Sequence, residues 1–201
     1  MLKDSEKSLW GGKRMNNKTK LFSFTVLFAA INYVVFTYLK INIPVPGGSS
    51  VAIHVANGIV VLSAWLIGPV YGGLAGAVGL SMADLLDPLY VASAPKTFFL
   101  KFMIGFIAGK LAEKMGLHET EDKKQITKIT VTSAIAGLGF NVIFEPVIGY
   151  LYRRYLLGTS AEAASILSAW LGGVTAFNAV VCVFVSVLLY KALYRQYRTL
   201  I

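Results

Sequence analysis

The sequence predicts an all-α membrane protein, six transmembrane helices in a compact bundle with both termini cytoplasmic, and three observations lead there. Hydrophobic residues make up 56% of the 201-residue chain and charged residues only 14%, with a mean hydropathy of +0.64. A soluble domain of this length has too little interior to hide that much apolar surface, so lipid must be its solvent. The stretch Val51–Ala83 carries no Lys, Arg, Asp or Glu and exceeds the ~20 residues that cross a bilayer, yet Gly68-Pro69 interrupts it, which predicts two short helices set back to back. The basic residues, finally, are unevenly spread. With six spans and an inner amino terminus, only Lys40, Lys96, Lys101, Arg153 and Arg154 of the 19 Lys and Arg fall on outer segments, in keeping with the positive-inside rule.

Taken in order, residues 1–18 are polar and basic and lack the apolar core and cleavage site of a secretory signal, so they read as a flexible cytoplasmic lead. Met15 offers an alternative start. The membrane domain covers 19–195. Its first helix, 19–39, has interfacial Lys18, Lys20, Tyr38 and Lys40 at its ends. INIPVPGGSS follows, and its prolines and glycines predict an extended loop with a sharp turn. Helices two and three, 52–67 and 70–86, flank Gly68-Pro69. Gly72, Gly73, Gly76 and Gly79 recur three and four apart in the third and form a smooth stripe that another helix can approach closely. DLLDPLYVASAPKT is an external or re-entrant connection, and helix four, 98–113, carries Gly105 and Gly109 at GxxxG spacing. KMGLHETEDKKQ is a solvated turn; helices five and six, 126–150 and 164–190, follow, and 196–201 form a basic cytoplasmic tail.

Several function classes are excluded. The net charge of +9 lies in blocks beside apolar spans rather than on one polar face, which fits membrane topology and not nucleic-acid binding. There is no phosphate-binding loop of GxxxxGKS/T type, no HExxH and no GxSxG, so the chain is not an ATPase and no enzymatic constellation is visible. The single cysteine, Cys182, sits in an apolar run with no metal-ligand spacing, and no metal site or cofactor is expected in this chain.

What remains are polar groups near membrane depth. Asn141 and Glu145 lie four apart on one face of helix five; an ionisable group in a span is costly to bury, so Glu145 either meets a ligand or pairs with Arg153 or Lys96. Trp170 and Asn178 are two turns apart on helix six and could offer a ring-shaped ligand an aromatic wall and an amide, or serve as interface belt and helix-helix glue. His54 and Asn57 at the mouth of helix two either cap the loop or touch substrate. Asp84 and Asp87 at the carboxyl end of helix three oppose the helix dipole, which predicts partners, Lys96 or Lys101 across the loop.

The Pro-Gly loop after the first helix, the turn and helix GPVYGGLAGAVG, the ADLLDP end and the run APKTFFLKFMIGFIAG together resemble the substrate-binding S components of bacterial energy-coupling factor (ECF) vitamin transporters, over about a third of the chain, with the six-span pattern matching throughout. The resemblance implies a multi-pass protein of the bacterial cell membrane that binds a water-soluble vitamin from outside. It also implies work with a transmembrane coupling subunit and two cytoplasmic ATPases, which use the ATP. It points to Gly47, Gly48 and Ser49 as a gate, and to Lys96 and Lys101 on helix four, Asn141 and Glu145 on helix five, and Trp170 and Asn178 on helix six as pocket residues, beside His54 and Asn57. Coupling-subunit contact falls to the small pair Thr25 and Ala29, which replaces the family's Ala-xxx-Ala pattern, and to Gly72, Gly73 and Gly76.

Asn, Glu and Trp together suit an uncharged or cationic heteroaromatic guest, such as a hydroxymethylpyrimidine thiamine precursor or pyridoxine. Riboflavin, pantothenate, folate and cobalamin stay open. The reading from a different class is a non-transporting membrane scaffold whose polar residues only cement helices. Ligand-induced thermal stabilisation distinguishes the two.

Overall fold

The computed structural model describes residues 18–45 and 49–200. Six α-helices follow one another: α1 Lys18–Tyr38, α2 Ala56–Ile67, α3 Pro69–Leu85, α4 Ala94–Lys114, α5 Lys123–Leu151 and α6 Ala161–Leu200. Between α1 and α2 lie β1 Ile41–Val45 and β2 Ser49–Ile53; a 3-10 turn, Val91–Ser93, leads into α4, and a π-helical turn, Tyr152–Leu156, extends α5. Among the described residues, four stretches are long and apolar enough to cross a membrane: Lys18–Tyr38, Val91–Lys114, Lys123–Leu156 and Ala161–Tyr194. All six expected helices are present among the described residues, with α2 and α3 shorter than the other four. At 1.5 Å per residue, α2 and α3 reach only about 18 and 26 Å, short of a hydrocarbon core of about 30 Å, and they form a helical hairpin inside the bundle.

The turn of that hairpin is Gly68, whose φ of 91° a glycine adopts without strain, with Pro69 opening α3 at a position where a missing N–H is harmless. All twelve residues of α2 are buried. Helix α3 is central too, which corrects the reading of its glycines as an outward sliding face for a coupling subunit. Gly72 and Gly76 face α2 at Ala64 and Val60, Gly73 faces Phe102 of α4, and Gly79 faces Ala29 and Asn32 of α1. The stripe is consumed within the bundle, and Ala29 is half-covered by it. Across the α3–α4 seam, a Cβ added at Gly105 would stand 2.7 Å from the Gly73 Cα, and one at Gly109 2.7 Å from the Pro69 Cα. The GxxxG spacing of α4 thus serves close helix packing, as small residues do where lipid supplies no hydrophobic drive.

The segment expected as an irregular loop is a hairpin. β1 and β2 pair antiparallel from Ile41↔Ile53 to Val45↔Ser49. Ile41, Ile43, Val45, Val51 and Ile53 are β-branched and suit a pleated surface, and a two-stranded ribbon tolerates Pro44 because both strands are edges. The tip, 46–48, lies outside the described residues, as do Gly47 and Gly48. Helix α4 begins at Ala94 rather than Phe98, so Lys96 and Thr97 belong to its first turn, and α6 continues to Leu200 through the segment expected as a tail.

One pole of the bundle is closed by packing. Trp65 and Tyr190 are fully buried and meet edge to face with ring centroids 5.5 Å apart, and the Trp65 Nε1–H donates to Ser133 Oγ at 3.0 Å. The Tyr194 hydroxyl donates to the Thr120 carbonyl at 3.1 Å, tying α6 to the α4–α5 connection. Phe36 of α1 and Thr159, just before α6, line one cavity at the opposite pole, so the first and last described residues share the closed pole.

Candidate functional site

At the other pole the hairpin, the ends of α1, α3 and α5, and the beginnings of α2, α4 and α6 enclose a cavity of about 280 Å³. Local sequence explains its polar walls. Asn141 and Glu145 are one turn apart and both buried, so one face of α5 delivers an amide and a carboxylate. Lys96 and Lys101 enter from the first two turns of α4. The Lys96 ammonium is ion-paired with Glu145 Oε1, and Lys101 Nζ lies 3.1 Å from Glu145 Oε2 and 3.4 Å from Asn141 Oδ1. One carboxylate thus pairs with two ammonium groups, each on its own oxygen, and leaves the triad with a net positive charge.

Asn178 ties α6 to the hairpin. Its Nδ2 donates to the Ala52 carbonyl at 3.0 Å and its Oδ1 accepts the His54 amide at 3.2 Å. His54 packs edge to face on Phe36 at 4.9 Å. His54 Nδ1, Asn57 Oδ1 and Arg153 Nη1 are buried and find no hydrogen-bonding partner among the described residues, and all three residues line the cavity. Native interiors rarely leave such atoms unmatched, because each forfeits a hydrogen bond it had in water.

Opposite the α5–α6 connection the hairpin is strapped to the α3–α4 connection. Lys40 Nζ lies 2.5 Å from Asp87 Oδ2 and over the rings of Phe36 and Tyr90, at 4.6 and 4.7 Å. The Tyr90 hydroxyl donates to Asn42 Oδ1 at 2.9 Å and lies 2.9 Å from Ser50 Oγ. Burial would raise the Asp87 pKa, but the Lys40 ammonium and the Leu89 amide outweigh it and hold the carboxyl below its ordinary value.

The structure brings Lys96, Lys101, Asn141, Glu145, Asn178, His54 and Asn57 to one cavity. Trp170 is elsewhere: it is 45% exposed and forms a shallow apolar groove with Ile53 and Phe177 on the outside of α6. Eight residues on a helix turn through 800°, about 80° past two full turns, so Trp170 and Asn178 do not share a face. The expected partner for Asp87 is corrected from Lys96 or Lys101 to Lys40, whereas Asp84 is buried with Thr97, Lys101 and Lys96 as its electrostatic neighbours and makes no direct ion pair among the described residues. Ser49 pairs through its backbone with Val45. Thr25 is half-buried, with its hydroxyl donating to the Leu21 carbonyl at 2.8 Å. Sequence reasoning missed Phe36 and Tyr90 as cavity residues; aromatic residues flanking a charged or Pro-rich connection were the available signal.

The model of the family "ECF-type riboflavin transporter, S component" matches residues 16–195. No curated protein sequence matches the chain. A solved structure titled "Structure and mechanism of the S component of a bacterial ECF transporter" superposes with a TM-score of 0.59 at 19% identity, covering 90% of this chain and 98% of that one, a likeness of fold. With a family match over nearly its whole length, and a polar cavity enclosed at one pole of an apolar helical bundle, the chain belongs to the S components of ECF-type transporters, in the riboflavin-type family.

Proposed function

We propose that this chain captures riboflavin from outside the cell and presents it to a coupling subunit driven by two separate ATPases. The observation that carries the reading is that three unmatched buried atoms, Asn57 Oδ1, His54 Nδ1 and Arg153 Nη1, belong to residues lining one cavity. Asn178 and Glu145, in the same cavity, are satisfied by protein partners. Atoms left open at a cavity wall favour a guest that completes them.

Riboflavin suits the chemistry better than the single-ring pyrimidine or pyridoxine that the sequence suggests. Its imide edge offers an N–H to an amide oxygen such as that of Asn57, its carbonyls and ring nitrogens accept from cations, and its polyol chain both donates and accepts. The open groups come from the start of α2, the residue after the β-hairpin strand leading into it and the π-helical turn after α5, so an extended guest meets more of them than one small ring. The description of the matching family supports the same choice. Away from the cavity the bundle is filled by Trp65, Tyr190 and Leu138, which favours capture by a binding subunit over passage through a pore.

Titration of the purified protein with riboflavin, read by flavin fluorescence and by thermal unfolding, tests this. Saturable one-to-one binding and a rise of several degrees in Tm are expected, since a ligand at 100 times its Kd stabilises by about 2.7 kcal/mol. No response to riboflavin, with a shift produced by pyridoxine or hydroxymethylpyrimidine, would reassign the cargo.

A further inference from the structure

Arg153 and Arg154 are adjacent, yet the π-helical turn at the end of α5 sends them to different places. Arg154 is exposed, and its Nη1 donates back to the Thr159 carbonyl at 3.3 Å. Arg153 is half-buried and lines the cavity, held there by its carbonyl, which accepts the Thr159 amide at 3.0 Å. One helical turn earlier stands Gly149, where a Cβ would lie 3.1 Å from Arg153 Nη1. Helical side chains lean toward the amino terminus, so the guanidinium lies back along α5 over the space that this glycine leaves free.

Arg153 Nη1 is buried and reaches no acceptor among the described residues. The carboxylate of α5, Glu145, stands eight residues earlier and already accepts from Lys96 and Lys101, one on each oxygen. Arginine stays charged in proteins, and a buried cationic donor without an acceptor is costly. A guest with oxygen acceptors near the mouth of the cavity would remove that cost. π-helical turns recur at functional sites, and here the turn aims the side chain inward.

We propose that Arg153 is a specificity-determining residue that donates from its guanidinium to hydroxyl oxygens of the cargo's polyol chain at the rim of the cavity, while the ring system lies deeper among Asn57, Asn141 and Lys101. The proposal rests on the flavin reading above. It makes the polyol chain, and not only the ring, a recognised part of the ligand.

Riboflavin and lumiflavin, which carries a methyl group in place of the polyol, separate the two ideas. Arg153→Gln should weaken riboflavin binding at least tenfold and change lumiflavin binding less than twofold, because a hydrogen bond to a charged group is worth a factor of this order. Arg153→Lys, which keeps the charge but loses the planar fork, should fall between on riboflavin alone. If Arg153→Gln fails to fold, judged by its ligand-free Tm, the lysine variant is read the same way. Equal losses for both flavins, or no loss for riboflavin, would overturn the assignment of Arg153 and leave the flavin reading intact. Binding of neither flavin by the unaltered chain would overturn both.

Discussion

Asn57 and Glu145 occupy the same cavity and make opposite contributions to it. Glu145 is fully engaged, and Glu145→Gln would leave the Lys96 and Lys101 ammonium groups buried without a counter-charge. Breaking a buried pair in this way costs about 3 kcal/mol or more, so the ligand-free protein should melt several degrees lower. Asn57 Oδ1 has no partner to lose. Asn57→Ala should therefore change ligand-free stability by less than about 1 kcal/mol and still weaken riboflavin binding about tenfold, measured by fluorescence titration. Both variants keeping native affinity would remove these residues from the binding site.

Between elements, two devices hold the bundle and its cover. In the α3–α4 seam Gly105→Ala drives a methyl into the Gly73 backbone, and overpacking of this kind typically costs about 1–3 kcal/mol. Gly139 on α5 meets nothing within 4 Å of its added Cβ, so Gly139→Ala should stabilise by about 0.5–1 kcal/mol through helix propensity alone. Opposite shifts in Tm for the two variants are expected. The second device is the strap from Lys40 to Asp87. Because the Asp87 pKa is lowered in the folded protein, its contribution is complete above the ordinary carboxylate range and is lost as pH falls through the folded value. Amide exchange in β1 and β2, corrected for its intrinsic pH dependence, should rise in the native chain only on acidification. In Asp87→Asn it should already be fast at neutral pH and show no such step.

For the molecule as a whole, the charge distribution predicts which pole faces the cytoplasm. The closed pole carries exposed Lys18, Lys20, Lys114, Lys123, Lys124, Lys128 and Lys191, and the positive-inside rule assigns that pole to the inner side, with the cavity outside. Cys182 is buried, so a single new thiol reports cleanly. Thr159→Cys should react with an impermeant maleimide in intact cells, and Glu119→Cys only after permeabilisation; the reverse pattern would invert the orientation.

The six helices and the break at Gly68-Pro69 were legible in the residues because each depends on local chemistry, whereas the start of α4, the continuation of α6 and the β-hairpin were not. Apolar length set the spans, Gly68-Pro69 set the turn between α2 and α3, and four-residue spacing put Asn141 and Glu145 on one face. What the chain could not reveal locally depends on angles around helix axes and on partners far apart in sequence. The Lys40–Asp87 strap joins residues 47 apart, the glycine stripe of α3 meets three different helices, and Trp170 points out where Asn178 points in. Hydropathy names the solvent of a segment, but the azimuth of each side chain, and so which polar groups converge on one cavity, is decided only when the helices pack.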